Sequence, residues 1–164
     1  MDERQKQATR VVDKYRWLSA GASLIPVPYL DWATVTGVQL KMLAELSNIY
    51  EVPYQKNAGK AAVTSMVGFI LPHTMAFGFL GSLTKTIPVV GSLAGAPAMA
   101  VFAGAYSWAL GNVFIQHFES GGTFLNFNPD EVKEYFKAKF EEGQTMAASP
   151  GTEENVKRKA GTPA

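Results

Sequence analysis

The stretch AAVTSMVGFILPHTMAFGFLGSLT, from Ala61 to Thr84, contains no charged residue, and it decides how this chain folds. A helix needs roughly 20 apolar residues to cross the core of a bilayer, and this run is longer than that. A second uncharged run extends from Thr86 to Phe118, so that Lys85 alone separates the two runs. The pattern predicts a helical hairpin over about residues 58–118, with Lys85 near its tip.

Two prolines punctuate the predicted hairpin. Pro72 lies near the middle of the first run, where it predicts a kink, and Pro88 marks a turn or helix entry close to the tip. Membrane helices tolerate such prolines when neighbouring groups satisfy the freed backbone atoms. In a soluble helix an interior proline costs about 3 kcal/mol. The prolines therefore fit a membrane hairpin, or a helix that kinks or breaks.

The second run carries small residues at intervals that place them along one stripe of a helix. Small residues on one stripe let two backbones approach closely, which is how helices associate where water does not drive association. We expect these positions to form a helix-packing or self-association surface. They are Gly91, Gly95, Ala96, Ala100 and Gly104.

The charged residues lie mostly towards the two ends of the chain and predict amphipathic helices that flank the hairpin. A first helix is expected over residues 3–22, with Ala8, Val12, Tyr15 and Leu18 on its apolar face. A second is expected to end near Tyr50, and a last one is expected over residues 129–143. The sequence thus predicts an all-α helical bundle, a single domain over residues 1–146, and a disordered tail over residues 147–164.

Two environments can cover so much apolar surface. Either the hairpin enters a membrane, or hairpins from several copies share a core in a soluble shell, ring or filament, because monomers rarely expose large apolar patches. In the membrane case, Lys56 and Lys60 and a charged amino terminus without secretory-signal features place both termini in the cytoplasm, at a bacterial inner membrane. A small pore is a third, weaker hypothesis. The alternative location is the cytoplasm.

The composition and the motifs argue against an enzyme, a metal-binding protein or a nucleic-acid-binding protein. The net charge of +1 and the lack of a basic stripe exclude nucleic acid as an expected partner, and the chain has no cysteine. His73 and His117 lack a carboxylate at a spacing suited to a metal site or a catalytic triad. The segment Gly91–Gly95 lacks the Gly-Lys-Ser/Thr ending of a phosphate-binding loop. We therefore expect no catalytic residues, no metal site, no cofactor and no enzyme activity.

Several stretches taken together resemble YcjF-like domains of unknown function, which occur alone in bacteria or on the carboxyl side of Era-like GTPase domains. The resemblance covers about residues 9–143. It implies a bacterial protein that associates with membranes and acts as an adaptor or anchor, beside a GTPase partner or with itself. The stretches that carry it are residues 22–28 leading to Asp31-Trp32, 39–42, 49–53, 87–92, 106–111 and 118–122, and the helix from Pro129.

Overall fold

The structure is a computed structural model, and it describes residues 2–22, 32–76 and 91–148. Every regular element in these residues is helical, which confirms the predicted all-α class. A short 3₁₀ helix, Phe124–Asn126, lies between the last two α-helices. The α-helices are α1 (Glu3–Ala22), α2 (Trp32–Ile49), α3 (Lys56–Ala76), α4 (Gly91–Glu119) and α5 (Pro129–Ala148).

The helices α2 and α4 are each followed by a residue with a positive φ and by a capping hydrogen bond. After α2, Glu51 adopts a positive φ of 57°, and the Val52 amide donates to the Ser47 carbonyl at 2.8 Å. After α4, Gly121 takes a φ of 80°, and the Gly122 amide donates to the His117 carbonyl at 2.9 Å. In both places, a residue in the left-handed conformation allows the next amide to bond back to a carbonyl in the last turn of the helix. This arrangement satisfies that carbonyl and ends the helix.

The last helix begins where the sequence predicts and ends later. The Asn128 side chain accepts a hydrogen bond from the Asp130 amide at 3.2 Å, and Pro129 occupies the first turn, where its missing N–H costs nothing. The helix then continues to Ala148. It therefore extends beyond the expected end at Gly143 and over the first two residues assigned to the tail. The rest of the tail, residues 149–164, lies outside the described residues.

The carboxyl-terminal half of α4 is the centre of the bundle. The helices α1 and α5 pack most extensively against it, and α2 adds a smaller contact. From Ala103 to Ile115 nearly every α4 residue is buried, on all sides of the helix. A helix that is apolar all round must lie in a core or in lipid. For this part of the second uncharged run, the amphipathic helices of the same chain provide the core.

The two predicted arms of the hairpin meet through a specific contact. The hydroxyl of Tyr106 on α4 donates a 2.7 Å hydrogen bond to the carbonyl of Val63 on α3. The helix α3 otherwise packs mainly on α2 and α5. The long apolar hairpin as such remains a prediction, because its tip, with Lys85 and Pro88, lies outside the described residues. Pro72 lies within α3, four residues before Ala76.

Aromatic rings close the end of the bundle where α4 finishes. Phe114 stacks on Phe127, with ring centroids 4.6 Å apart, and meets Phe118 and Phe124 at 5.5 Å each. Each such pair contributes roughly 0.5–1.5 kcal/mol beyond the area that it buries. The loop after α4 is therefore held against the core, and it directs α5 back along the bundle.

Candidate functional site

A cluster of three buried polar side chains lies where α1, α2 and α4 meet. The amide nitrogen of Gln39 lies 2.7 Å from the Ser107 hydroxyl and 3.3 Å from the Ser19 hydroxyl. The two hydroxyls are themselves hydrogen bonded at 2.8 Å. Each of the three residues is no more than 5% exposed. The cluster is the polar centre of an otherwise apolar helix interface and fixes the relative position of the three helices.

One atom of this cluster has no hydrogen-bond partner within the described residues. The carbonyl oxygen Oε1 of Gln39 is buried and accepts no bond. An unsatisfied buried acceptor costs roughly 1–3 kcal/mol. The cluster holds no titratable group, and an amide with two hydroxyls offers no general acid or base. It can therefore fix the helix positions, and it is not suited to acid–base catalysis.

Arg16 of α1 is buried although it carries a charge. Its guanidinium lies 5.2 Å from the ring of Trp17 and 5.4 Å from the ring of Trp108, and its Nη1 atom lies 3.7 Å from Met146 Sδ. It also pairs with Asp13 at 3.5 Å. Cation–π contacts and the ion pair together compensate the loss of hydration. Arg16 thus links α1 to α4 and to the end of α5.

The end of the bundle near the carboxyl terminus of α4 is polar. Tyr50 donates a 3.0 Å hydrogen bond to Glu119 Oε1, and Gln5 lies 3.4 Å from Glu119 Oε2. Burial, followed by the hydrogen bond and charge of Glu119, raises the pKa of Tyr50. A shallow cavity of about 350 Å³ opens here between Asp2, Arg4 and the residues just named. Its mixed charges and openness suit water better than a specific small molecule.

The opposite end of the bundle, here named the apolar end, is where α1 exposes two large apolar side chains. Trp17 and Leu18, in the last turns of α1, are 60% and 51% exposed. The sequence reading assigned Leu18 to the inner face of α1, and this was wrong, since Arg16 and Ser19 are buried there instead. The helix turns these two polar side chains inward because the rings of α4 and the Gln39 cluster give them partners.

The central helix α4 extends beyond α1 and α2 at this end. Ala20 of α1 lies level with Gly104, and Gln39 of α2 lies level with Ser107. The end of α1 and the start of α2 therefore reach the level of about Ala100. From there α4 continues to Gly91, a distance of about 14 Å at 1.5 Å per residue. The segment 91–99 contains no charged residue.

The structure describes the side-chain surroundings of only part of the predicted small-residue stripe. Gly104 is buried against α1, where an added Cβ would lie 3.5 Å from Ala20 Cβ and 3.6 Å from the Arg16 carbonyl oxygen. Those are ordinary contacts, so the site does not require glycine. The structure does not describe the side-chain surroundings of Gly91, Gly95 and Ala96, and Ala100 is half-buried. A packing or self-association role for the five positions stays a prediction.

Two glycines that the sequence analysis did not single out for packing allow the closest approaches between helices in the described residues. An added Cβ on Gly111 would lie 2.7 Å from a methyl carbon of Val12, and one on Gly143 would lie 2.8 Å from Ala105 Cα. The sequence does hold a signal for Gly111, since Gly104, Ser107 and Gly111 follow the three- and four-residue spacing of one helix face. That small-residue face packs on α1.

The histidines and acids do not assemble into a reactive site where the structure describes them. His117 bonds through Nε2 to the Thr123 carbonyl oxygen at 2.9 Å and packs edge-on against Phe127. This contact fastens the loop after α4. Within residues 2–22, 32–76 and 91–148, no three histidine or acidic side chains are placed to hold a metal ion.

Together these features define an all-helical bundle around one buried central helix, with a hydrogen-bonded polar surface at one end and the exposed Trp17 and Leu18 at the other. The chain belongs to the DUF697 family, a domain of unknown function, whose family model matches residues 1–145. This agrees with the resemblance to YcjF-like domains. The chain is 35% identical to magnetosome membrane protein 22 of Magnetospirillum gryphiswaldense, over 86% of its own length and 72% of that protein. No solved structure matches the chain significantly.

None of the helices in the described parts of the chain is both long enough and apolar enough to cross a bilayer.

Proposed function

We propose that this chain is a non-catalytic, membrane-associated helical domain that acts as an anchor or adaptor for other proteins at a bacterial inner membrane. The observation that carries the proposal is the end of the bundle where α1 exposes Trp17 and Leu18 and where the uncharged helix α4 continues past α1 and α2. Lipid covers such a surface without a partner protein. The relative named as a magnetosome membrane protein supports an association with a membrane.

The polar end then faces the cytoplasm in this proposal. There Gln5, Tyr50 and Glu119 form a hydrogen-bonded surface with charged neighbours. A surface of this kind suits a transient protein partner. The resemblance to YcjF-like domains suggests a GTPase as that partner, and a second copy of this chain is the other choice.

The test is alkaline-carbonate fractionation of bacterial cells that express the untagged chain, with Leu18→Glu as a variant at the apolar end. We expect the chain in the membrane fraction at neutral pH, since salt does not screen apolar contacts with lipid. Recovery of the chain in the supernatant at neutral pH and low salt would contradict the proposal. Retention in the pellet at alkaline pH would further identify an integral hairpin.

A second function uses the same apolar end differently. Trp17 and Leu18 are exposed beside uncharged chain, and the same surface could be covered by further copies in a soluble shell, ring or filament. Sizing in detergent-free buffer separates the two functions. A discrete large particle released without detergent supports the assembly, whereas a chain that stays with lipid supports the anchor.

A further inference from the structure

The outer face of α1 changes character near its carboxyl end. The first turns of this face expose charged side chains, among them Lys6, Arg10 and Lys14. One turn later the exposed side chains are Trp17 and Leu18. A single exposed leucine carries no meaning on a soluble protein. A tryptophan beside a leucine at the point where the charges stop is a more specific arrangement.

The sequence continues this apolar character beyond α1. No charged residue occurs between Arg16 and Asp31, and Leu24, Ile25 and Val27 fall in that interval. The exposed pair therefore begins an uncharged stretch of chain. It also lies at the end of the bundle where α4 extends uncharged past α1 and α2.

Tryptophan has a physical preference for one particular environment. Its ring is mostly apolar but carries one N–H donor, so it concentrates at the boundary between lipid headgroups and acyl chains. Here the guanidinium of Arg16 lies 5.2 Å from the Trp17 ring. This contact holds one side of the ring against α1, while Trp17 stays 60% exposed.

From these observations we propose that Trp17 and Leu18 form a lipid-contacting surface that sits at the headgroup boundary and fixes the orientation of the bundle. The end at which α1 stops faces the bilayer, and the end with Tyr50 and Glu119 faces water. This inference rests on the proposed membrane association and adds its contact surface and its orientation.

The charges near this surface predict what drives the contact. Lys14 pairs with Glu45 at 2.7 Å, and Arg16 pairs with Asp13 at 3.5 Å. The acids largely neutralise the basic groups, so the attraction to anionic lipid is weak. Burial of apolar side chains therefore drives the contact. Vesicles of phosphatidylcholine alone and vesicles that also contain phosphatidylglycerol should give the same depth for residue 18.

The absence of cysteine allows a direct test with single labels on the full chain. Leu18→Cys carries an environment-sensitive fluorophore at the proposed surface. Leu125→Cys, on the 3₁₀ helix, is the matched control, because Leu125 is 78% exposed and lies at the other end of the bundle. Both variants are mixed with phosphatidylcholine vesicles, and flotation reports binding. Emission and quenching by brominated lipid report depth.

We expect the label at position 18 to shift to the blue and to be quenched by brominated lipid, while the label at 125 stays in water. If the chain floats with vesicles but the label at 18 stays aqueous, the orientation is overturned and membrane association survives. If the chain does not float, both fail. A blue shift at 18 without vesicles would overturn the lipid contact in favour of a second copy.

A second variant pair measures the affinity instead of the depth. Leu18→Glu should lower partitioning onto the vesicles by about tenfold, because a buried leucine is replaced by a charge. Leu125→Glu should leave partitioning unchanged. Equal partitioning of the two glutamate variants would overturn the proposal. Circular dichroism confirms that both variants fold, as expected for exposed positions.

Discussion

Gly111 of α4 lies so close to Val12 of α1 that a Cβ on the glycine would be 3.1 Å from Val12 Cβ and nearer still to both methyl groups. Both residues are fully or nearly fully buried. Valine is stiff about χ1, so its methyl groups cannot rotate away within a helix. The missing side chain at position 111 therefore sets the distance between α1 and the central helix.

Gly111→Ala should destabilise the bundle by about 1–3 kcal/mol, because it overpacks the contact between α1 and α4. Urea unfolding followed by circular dichroism measures the loss. The double variant Val12→Ala/Gly111→Ala should be less destabilised than the sum of the single variants, since loss of the valine methyl groups makes room for the new Cβ, which in turn fills part of that space. Additive effects would mean that the two residues do not constrain each other.

An exposed glycine gives the matched control for helix propensity. Gly68 of α3 is exposed, and nothing lies within 4 Å of an added Cβ. Gly68→Ala should therefore stabilise the chain by about 0.5–1 kcal/mol, because alanine loses less entropy in a helix. A destabilised Gly68→Ala would show that this face of α3 is covered.

Gly143 should respond to alanine without a comparable rescue. An added Cβ there would lie 2.8 Å from Ala105 Cα and 3.2 Å from Ala105 Cβ. Gly143→Ala should thus lower the free energy of unfolding, and Ala105→Gly should not restore it, because the closest atom belongs to the backbone of α4. Restoration by Ala105→Gly would indicate that the Cβ contact dominates.

Tyr106→Phe tests the contact between the two apolar segments. It removes the hydrogen bond to the Val63 carbonyl at 2.7 Å and keeps the ring, which packs on Phe136 with centroids 5.8 Å apart. We expect a loss of about 0.5–1.5 kcal/mol. Amide hydrogen exchange should quicken in α3 more than in α5. A uniform increase across the bundle would contradict a local role for this bond.

Glu45 predicts a dependence of stability on pH. Burial acts to raise the pKa of its carboxyl group, but hydrogen bonds from Lys14 and Tyr15, with the charge of Lys41, outweigh it and lower the pKa below its usual value of 4.5. The ionised carboxylate thus stabilises the fold above about pH 4.5, and this contribution is lost as the pH falls through the lower, folded-state pKa.

Glu45→Gln should remove that dependence. The variant should be less stable than the parent chain at neutral pH, and the two should converge as the pH falls below 4.5. Thermal unfolding at a series of pH values measures the difference. Lys14→Met should reduce the dependence without abolishing it, because it removes the largest cause of the lowered pKa and leaves the 2.7 Å bond from Tyr15 in place. A difference that stays constant with pH would contradict the assignment.

Helix positions followed well from local patterns in the sequence. Spacing of apolar residues predicts α1 and α2, and the Asn128-Pro129 pair predicts the start of α5. The end of α5 was predicted less well, since Gly143 was interpreted as a stop. It lies inside the helix instead, because its missing side chain lets α5 approach Ala105. A glycine can end a helix or permit close packing, and the sequence does not distinguish these uses.

The candidate site was harder to predict. The interpretation of the uncharged runs as one hairpin stays a prediction, and the division of α4 into a buried part and a part that extends past α1 and α2 was not expected. Leu18 was placed on the apolar face of an amphipathic helix, Trp17 was not singled out, and the inward turn of Arg16 was not expected. These outcomes depend on which helix lies beside which, and spacing along one helix does not contain that information.

By itself, the sequence determined the helical class, most helix bounds and the excess of uncharged residues in the middle of the chain. Those properties follow from interactions between residues close in sequence and from the need to hide apolar side chains. The tertiary structure alone decided that Ala103 to Ile115 are covered by helices of the same chain, and that Ser19, Gln39 and Ser107 meet. Both outcomes depend on contacts between residues far apart in the sequence, and these form only when the helices pack.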